Sequence, residues 1–313
     1  MNQPRAIVLG MGSIGRRHAR LLAEMSIPLA AVSAYPQEGI PTYDDLNQAV
    51  PDFEPTHVVV ANPTSMHLGS IEWLARLGFT GKMLVEKPLF DGLGSPSGVD
   101  RTQIQVAYNL RFHPLLQKLK KRLQGRRVLT VQAYVGQYLP TWRPERPYQE
   151  SYSSKRMMGG GALRDLSHEL DYLNWLFGPW VALSALGGKI SDLEIDSDDH
   201  FCLLYQTTKD VRVGLEVNYL DRRTSRRLNV NCADTSFYLD FISGTLSEGD
   251  QVEQVTLERD QMYKEQLRCF LGQNPGDACD YLQAMEVIET FAAAEAASRP
   301  PFRWITRNLE SDL

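Results

Sequence analysis

The fold of this chain is decided by the stretch Ala6-Ile7-Val8-Leu9-Gly10-Met11-Gly12-Ser13-Ile14-Gly15. Its apolar first half is typical of a buried parallel strand. Glycines then occupy the first, third and sixth places of a Gly-x-Gly-x-x-Gly turn, and a helical pattern comes next. The first glycine allows the tight turn, the second lets a pyrophosphate approach the backbone, and the third lets helix and strand pack closely. Because the helix N-terminus also offers free N–H groups and a partial positive charge, the stretch predicts a dinucleotide-binding site.

The composition is that of an ordinary globular protein. The 313 residues suggest about two domains, with 43% of them hydrophobic and 23% charged. A net charge of −5 argues against nucleic-acid binding, and no apolar run reaches the roughly 18–20 residues of a membrane span. The first residues lack a signal-peptide pattern. Cys202, Cys232, Cys269 and Cys279 are scattered without a Cys-x-x-Cys pair, so we expect no metal site, no disulfide and a cytoplasmic location.

The second predicted strand, residues 29–33, ends without the carboxylate that commonly binds the adenosine ribose of NAD. Ser33-Ala34-Tyr35 stands there instead, and Arg16 and Arg17 come directly after the glycine turn. This pattern favours a 2′-phosphate, although both arginines also fit a solvated helix face. The cofactor is therefore predicted as NAD or NADP, with NADP favoured.

Polar segments come after the third and fourth predicted strands. Asn62-Pro63-Thr64 ends the third strand, a helix with His67 in its first turn comes next, and Glu86-Lys87-Pro88 ends the fourth strand. Strands that alternate with helices predict a doubly wound parallel sheet, whose ligand lies beyond the carboxyl ends of the strands. Lys87 is then expected beside the nicotinamide. The residues predicted to contact the cofactor are Gly10, Met11, Gly12, Ser13, Ile14, Gly15, Ser33, Asn62, Pro63, Thr64, His67, Glu86 and Lys87.

The second half of the chain changes character. Strand patterns at 128–135, 201–206, 211–219, 227–232 and 237–241 predict a large, mostly antiparallel sheet with one face covered. Long helices are predicted at 162–177 and 279–296, and an exposed loop at 90–101. We therefore predict an α/β protein with a dinucleotide-binding domain at 1–110 and an α+β domain for substrate binding and oligomerisation at 111–313.

The predicted helix at 162–177 comes after Gly159-Gly160-Gly161 and contains Asp165, His168 and Asp171 at spacings of three. A histidine flanked by carboxylates fits a general acid/base, and it also fits a buried histidine whose hydrogen bonds are satisfied.

Two further segments have open interpretations. Trp142-Arg143, Tyr148, Tyr152 and Lys155 suit the binding of sugar hydroxyls, or form a surface loop. The basic run at 222–227 is a hairpin tip, a phosphate-binding segment or a contact for an acidic subunit surface.

The second sheet also predicts assembly. Its strand at 211–219 has an apolar alternation that requires a cover, and we expect another copy of the chain to supply part of it in a homodimer or a higher homo-oligomer. The alternating residues are Val211, Val213, Leu215, Val217 and Tyr219.

Several motifs together resemble a known family. They are, in chain order, Gly10-x-Gly12-x-x-Gly15, Asn62-Pro63-Thr64-x-x-His67, Glu86-Lys87-Pro88, Tyr108-Asn109-Leu110-Arg111-Phe112 and Gly159-Gly160-Gly161 with Asp165 and His168-x-x-Asp171. This combination resembles the Gfo/Idh/MocA family of sugar and cyclitol oxidoreductases. The resemblance implies an N-terminal Rossmann domain, a C-terminal domain with a large open sheet, and a nicotinamide cofactor.

The resemblance also implies the roles of the site residues. Lys87, Asp165 and His168 correspond to the family's catalytic lysine, aspartate and histidine. The family commonly spaces the last two by four residues, whereas this chain spaces them by three. The implied reaction moves a hydride between nicotinamide and a sugar carbon while His168 exchanges the hydroxyl proton and Lys87 binds the oxygen. The residues expected to contact the substrate are Lys87, Asn109, Arg111, Trp142, Arg143, Tyr152, Asp165 and His168.

Two other functions are compatible with the same motifs. One is glycoside cleavage through transient oxidation by a retained NAD. The other is a non-catalytic protein that only binds the cofactor or a partner.

Overall fold

Strands and helices alternate through the first third of the chain, and strands dominate the remainder. A computed structural model describes residues 3–35, 37–274 and 276–307. Its strands are β1 (Ala6–Leu9), β2 (Leu29–Val32), β3 (Thr42–Tyr43), β4 (His57–Val60), β5 (Lys82–Val85), β6 (Ile104–Val106), β7 (Val128–Gly136), β8 (Trp180–Gly188), β9 (His200–Thr207), β10 (Arg212–Asn218), β11 (Ser225–Cys232), β12 (Ser236–Asp240), β13 (Thr245–Glu248), β14 (Gln251–Gln254), β15 (Cys279–Asp280) and β16 (Ile305–Thr306). Its α-helices are α1 (Ser13–Glu24), α2 (Leu46–Phe53), α3 (His67–Arg76), α4 (Pro114–Leu123), α5 (Ala162–Asp165), α6 (His168–Phe177), α7 (Gln261–Phe270) and α8 (Tyr281–Ala297).

The first of two compact units contains the residues up to Phe112 together with Asp260–Met285. Its sheet has the order β15-β6-β5-β4-β1-β2-β3, in which β1 to β6 are parallel and β15 is antiparallel to β6. The strand order reverses between β1 and β4, so their carboxyl ends flank the crevice where doubly wound sheets bind ligands. The predicted doubly wound parallel sheet is confirmed.

Residues 260–285 lie in the first unit, whereas the sequence-based division assigns all of 111–313 to the second domain. The physical reason is the apolar face of α7. Leu267 and Phe270 are completely buried in the same core cluster as Leu21 and Leu22 of α1. The rest of α7 is largely polar, which is why the sequence pattern did not predict it.

The second unit contains His113–Arg259 and the residues from Glu286 onward. Its sheet has nine strands in the order β14-β13-β12-β11-β7-β10-β9-β8-β16. The β7–β10 pair is parallel, and the other pairs are antiparallel. The predicted large, mostly antiparallel sheet is therefore confirmed.

One face of the nine-stranded sheet is covered within the chain. Helices α4, α5 and α6 pack against it. Val211, Val213, Leu215, Val217 and Tyr219, which the sequence suggested would need a partner subunit, are all buried in the isolated chain. The opposite face remains open, and Leu186, Leu204 and Tyr238 are exposed there.

The predicted single helix at 162–177 is wrong. The structure has the short α5 and the longer α6, separated by a turn at Leu166 and Ser167. The backbone N–H of Ser167 donates to the carbonyl of Arg164, three residues back, and this tighter bond interrupts the α-helical pattern. The predicted loop at 90–101 contains no helix or strand up to residue 100, and Arg101 begins a short 3₁₀ helix.

Candidate active site

The glycine turn after β1 is shaped by the loop after β4. Gly10 has a φ of +93°, and a Cβ there would lie 2.7 Å from the backbone nitrogen of Asn62. A Cβ on Gly15 would lie 1.8 Å from the carbonyl oxygen of Gly10, so α1 packs directly on the turn. No described atom lies within 4 Å of a Cβ on Gly12. The backbone at Gly12 is therefore an open ledge at the N-terminus of α1, as a pyrophosphate requires. The predicted contacts Met11, Ser13 and Ile14 lie beside this ledge.

His67 joins the two polar segments at the carboxyl edge of the parallel sheet. Its Nε2 lies 3.0 Å from the carbonyl oxygen of Asn62. Its Nδ1 lies 3.1 Å from the carbonyl oxygen of Leu89 and 3.2 Å from that of Pro88. The imidazole is buried, and burial lowers its pKa. The structure thus places His67 as a bridge between the segments that contain Thr64 and Lys87.

A second buried histidine, which the motifs of the sequence did not indicate, supports the Glu86-Lys87-Pro88 segment from α1. His18 is completely buried, and its Nε2 lies 2.7 Å from Oε1 of Glu86. The ring of Tyr263, on α7, packs edge-on against His18 with 6.0 Å between the ring centroids. These contacts fix the backbone immediately before Lys87, whose side chain is half-buried.

The residues that the sequence predicts at the adenosine end of the cofactor differ in how firmly the structure holds their side chains. Ser33 lies just after β2 and accepts a hydrogen bond from the backbone N–H of Tyr35 at 3.2 Å. Arg17 lies 4.8 Å above the ring of Tyr263 and 3.5 Å from a carboxylate oxygen of Asp260. Arg16 is exposed. Of the two arginines, Arg17 is thus held by α7 and its N-terminal flank.

Asn109 and Arg111 are buried inside the first unit. Arg111 is 1% exposed, and its guanidinium donates to Oε1 of Gln283 at 2.7 Å and to the carbonyl of Ala278 at 3.5 Å. Asn109 lowers the pKa of the Tyr263 phenol against the larger effect of burial, which raises it. Arg111 therefore ties the 260–285 segment to the end of β6, a role that its position in the sequence did not reveal.

Asp165 is the centre of the best-defined polar cluster in the second unit. The hydroxyl of Tyr152 donates to its Oδ1 at 2.5 Å, and the hydroxyl of Tyr219 donates to its Oδ2 at 2.6 Å. Burial, followed by the charge of Asp165, raises the pKa of both phenols well above the usual range, so both keep their protons. Two short, charge-assisted hydrogen bonds therefore hold the carboxylate in one orientation.

The cluster extends to the predicted substrate segment. The ring of Trp142 packs edge-on against Tyr219 with 5.2 Å between the centroids. The charge of Arg143 acts on the phenol of Tyr152, whose pKa it lowers against the larger effect of burial. Trp142, Arg143, Tyr152 and Asp165 are thus brought together in the second unit.

Asp198 supports this cluster from the N-terminus of α5. Its carboxylate accepts from the backbone N–H of Leu163 at 2.9 Å, and its carbonyl accepts from Ala162 at 2.9 Å. A Cβ on Gly161 would lie 2.2 Å from Oδ1 of Asp198, which explains the glycine there. Burial raises the pKa of Asp198 to about 6.

His168 is the first residue of α6 and is half-buried. Its neighbour Glu169 is completely buried and pairs with Arg226 of β11, with 2.9 Å between Oε1 and Nε. This ion pair anchors the first turn of α6 to the sheet and so fixes the backbone at His168. Lys87 belongs to the first unit, whereas Asp165 and His168 belong to the second.

The basic run at 222–227 does not form a single patch. Arg226 turns inward to its ion pair with Glu169. Arg222 lies 3.4 Å above the ring of Tyr138, and Arg227 lies 4.9 Å above that of Tyr134. Successive residues of a strand face opposite sides of the sheet, which separates Arg226 from Arg227.

Part of the chain is similar to a known family model and to a known protein. A family model described as the GFO/IDH/MocA C-terminal domain matches residues 116–238. The rhizopine catabolism protein MocA of Rhizobium meliloti is 28% identical over 194 residues, which are 57% of this chain and 58% of that protein. The chain thus matches little more than half the length of this relative.

Two solved structures share the fold along nearly the whole chain. WlbA dehydrogenase from Bordetella pertussis, in complex with NADH and UDP-GlcNAcA, has a TM-score of 0.76 at 17% identity, covering 98% of this chain and 100% of that chain. UDP-N-acetylglucosamine 3-dehydrogenase GnnA from Acidithiobacillus ferrooxidans has a TM-score of 0.75 at 19% identity, covering 96% of this chain and 99% of that chain.

Neither a membrane-spanning helix nor a metal-binding cluster is found among the described residues. None of their helices has the length and apolar character needed to cross a membrane. Within the same residues, no three histidine, cysteine, aspartate or glutamate side chains are grouped to bind a metal ion.

Proposed function

We propose that the chain is a member of the Gfo/Idh/MocA family and an NAD(P)-dependent oxidoreductase that transfers a hydride between nicotinamide and a hydroxyl or carbonyl group of a sugar, cyclitol or nucleotide sugar. The observation that carries this proposal is the open ledge at Gly12, beside the point where the order of the parallel strands reverses. Of the two solved structures with a similar fold, one is a dehydrogenase in complex with NADH and UDP-GlcNAcA, and the other is a UDP-N-acetylglucosamine 3-dehydrogenase. Both fit the proposal of a nucleotide-sugar substrate.

The chain's own residues would then handle the proton and the charge on the substrate oxygen. When bound, the nicotinamide supplies the carbon that exchanges the hydride. His168 accepts the hydroxyl proton during oxidation and returns it during reduction. Lys87 donates a hydrogen bond to the same oxygen and stabilises the negative charge that develops there. Asp165, fixed by two phenols, favours the positive charge that His168 gains.

The cofactor is proposed to be NADP in preference to NAD. The segment after β2 offers Ser33 and no carboxylate to a ribose hydroxyl, while Arg16 remains exposed at the start of α1. Arg17 is engaged with Asp260 and Tyr263. We therefore assign the 2′-phosphate contact to Arg16. Calorimetry should show tighter binding of NADPH than of NADH, and Arg16→Gln should remove most of this difference while Arg17→Gln should not.

We also propose a homodimer in the cytoplasm. The open face of the nine-stranded sheet, with Leu186, Leu204 and Tyr238 exposed, is the surface for a second copy. Cys202, Cys232, Cys269 and Cys279 are not joined by disulfide bonds in the structure, which supports a reducing compartment. Light scattering that reports a monomer at micromolar concentration would contradict the dimer.

An assay of net cofactor turnover tests the reaction itself. The protein is mixed with NAD or NADP and a panel of free sugars, cyclitols and nucleotide sugars, and formation of reduced nicotinamide is followed by absorbance. A dehydrogenase gives stoichiometric reduced cofactor with at least one compound. Glycoside cleavage by transient oxidation would consume a glycoside without net reduction, and a non-catalytic protein would do neither.

A further inference from the structure

The predicted substrate segment contains a stiff turn with an arginine at each end. The backbone N–H of Arg146 donates to the carbonyl of Arg143 at 3.2 Å, which closes a four-residue β-turn. Pro144 occupies the second position of this turn, and Pro147 comes directly after it. Proline fixes φ at both places and reduces the freedom of the segment. The two arginine Cα atoms are consequently held within about 7 Å of each other.

Both arginines line one cleft in the second unit. No described carboxylate lines this cleft, whose other polar and aromatic walls are Trp142, Tyr148, Ser151 and Ser153. Within the part of the chain that the structure describes, neither guanidinium forms an ion pair. Arg126, Arg164 and Arg226 of the same unit do pair with carboxylates. The turn also contains Glu145, which is exposed and does not line the cleft, so the charged residues that line the cleft are the two arginines.

The cleft adjoins the Asp165 cluster. Trp142 forms part of its wall and packs against Tyr219, which donates to Asp165. Arg143 acts electrostatically on Tyr152, the other donor to Asp165. The indole N–H of Trp142 has no acceptor among the described residues. A ligand that reaches from Asp165 into the cleft therefore meets first an aromatic wall and then two cations.

We propose that this cleft binds the diphosphate of a nucleotide-sugar substrate, with Arg143 and Arg146 on the phosphates. Guanidinium groups match phosphate oxygens through paired N–H donors, and aromatic faces such as those of Trp142 and Tyr148 suit a nucleobase. The sugar is then directed towards Asp165. The inference rests on the proposed function for its substrate class, but the binding step does not depend on hydride transfer.

Calorimetric titration of uridine diphosphate into the NADH-saturated protein tests the proposal directly, because NADH blocks the dinucleotide site. We expect saturable binding that is at least tenfold tighter than that of uridine. Arg143→Gln and Arg146→Gln should each weaken it about tenfold or more. Arg156→Gln is the matched control, because Arg156 is an exposed arginine of the same segment that does not line the cleft. Melting temperatures confirm that each variant is folded.

The proposal is overturned if uridine diphosphate binds no better than uridine, or if the two cleft variants keep the wild-type affinity. Equal weakening by Arg156→Gln would also overturn it, because the effect would then reflect net charge alone. The outcome is separable from that of the proposed function. Binding as predicted without net cofactor reduction would refute the reaction only, whereas reduction with neutral sugars and no diphosphate binding would refute this inference only.

Discussion

At the scale of single residues, the hydrogen bonds that Tyr152 and Tyr219 donate to Asp165 predict an effect on stability. Tyr219→Phe removes a donor to a buried carboxylate oxygen, so we expect a loss of about 1–3 kcal/mol in the free energy of unfolding. Tyr205→Phe is the matched control, because the hydroxyl of Tyr205 is buried with no hydrogen-bond partner among the described residues. Its removal should cost nothing measurable. Urea unfolding of both variants decides the matter, and equal losses would show that Tyr219 matters only for packing.

The buried side chain of His113 should make the stability of the protein depend on pH. Its Nδ1 accepts from the backbone N–H of Leu115 at 3.2 Å and caps α4, and burial, with the charge of Arg226, lowers its pKa from 6.5 to about 4. The folded protein favours the neutral imidazole of His113. Its contribution to the free energy of unfolding is therefore complete above pH 6.5 and is lost as the pH falls towards 4. By linkage this amounts to about 2–3 kcal/mol.

His113→Asn keeps a capping side chain without a titrating group. The variant should therefore lose about 2–3 kcal/mol less stability than wild type between pH 7 and pH 4.5. The pKa of His57 is lowered to about 4 as well, but this residue is present in both proteins and cancels in the difference. Parallel pH dependences of unfolding would contradict the assignment.

At the scale of elements, the β1–α1 unit separates a glycine needed for binding from one needed for folding. A Cβ at Gly12 meets no described atom, so Gly12→Val should fold with nearly wild-type stability and fail to bind NADH. A Cβ at Gly15 would lie 1.8 Å from the carbonyl oxygen of Gly10, so even Gly15→Ala should destabilise the protein strongly. Calorimetry with NADH and thermal melting measure the two effects. A folded Gly12→Val variant with wild-type affinity for NADH would contradict the role of Gly12 in cofactor binding.

The same scale shows what local patterns could and could not predict. β1 and β4 are buried over their whole length and end near glycine or Asn-Pro, so the sequence alone predicts a buried parallel sheet and its ligand edge. The division of the helix at 162–177 was not predictable, because α5 and α6 contain good helix formers and are interrupted by one tight hydrogen bond at Ser167. His18 sits among buried residues of α1, where nothing local distinguishes a support for Glu86 from a core histidine.

At the scale of the whole molecule, the contacts that the sequence did not predict join residues that are far apart in the chain. Asp260 and Tyr263 come after β14 in the second half of the chain, yet they contact Arg17 and His18 near the other end of the chain. Tyr219, at the end of a predicted strand, is a hydrogen-bond donor to Asp165, 54 residues earlier. Such contacts depend on how distant elements pack, and no periodicity encodes them. The motifs themselves were local, which is why candidate site residues could be named from them while their supports could not.

The most direct measurement of the central claim is the rate of net nicotinamide reduction by four proteins: wild type, Lys87→Ala, His168→Ala and the double variant. With a substrate from the panel, each single change should lower turnover by about 10² to 10⁴, while the affinity for NADH and the melting temperature change little. Since both residues would act on one oxygen, the double variant should lose much less than the product of the two single losses. A His168→Ala protein that melts earlier but keeps its turnover per folded molecule would contradict the claim, as would wild-type protein that reduces neither cofactor with any compound.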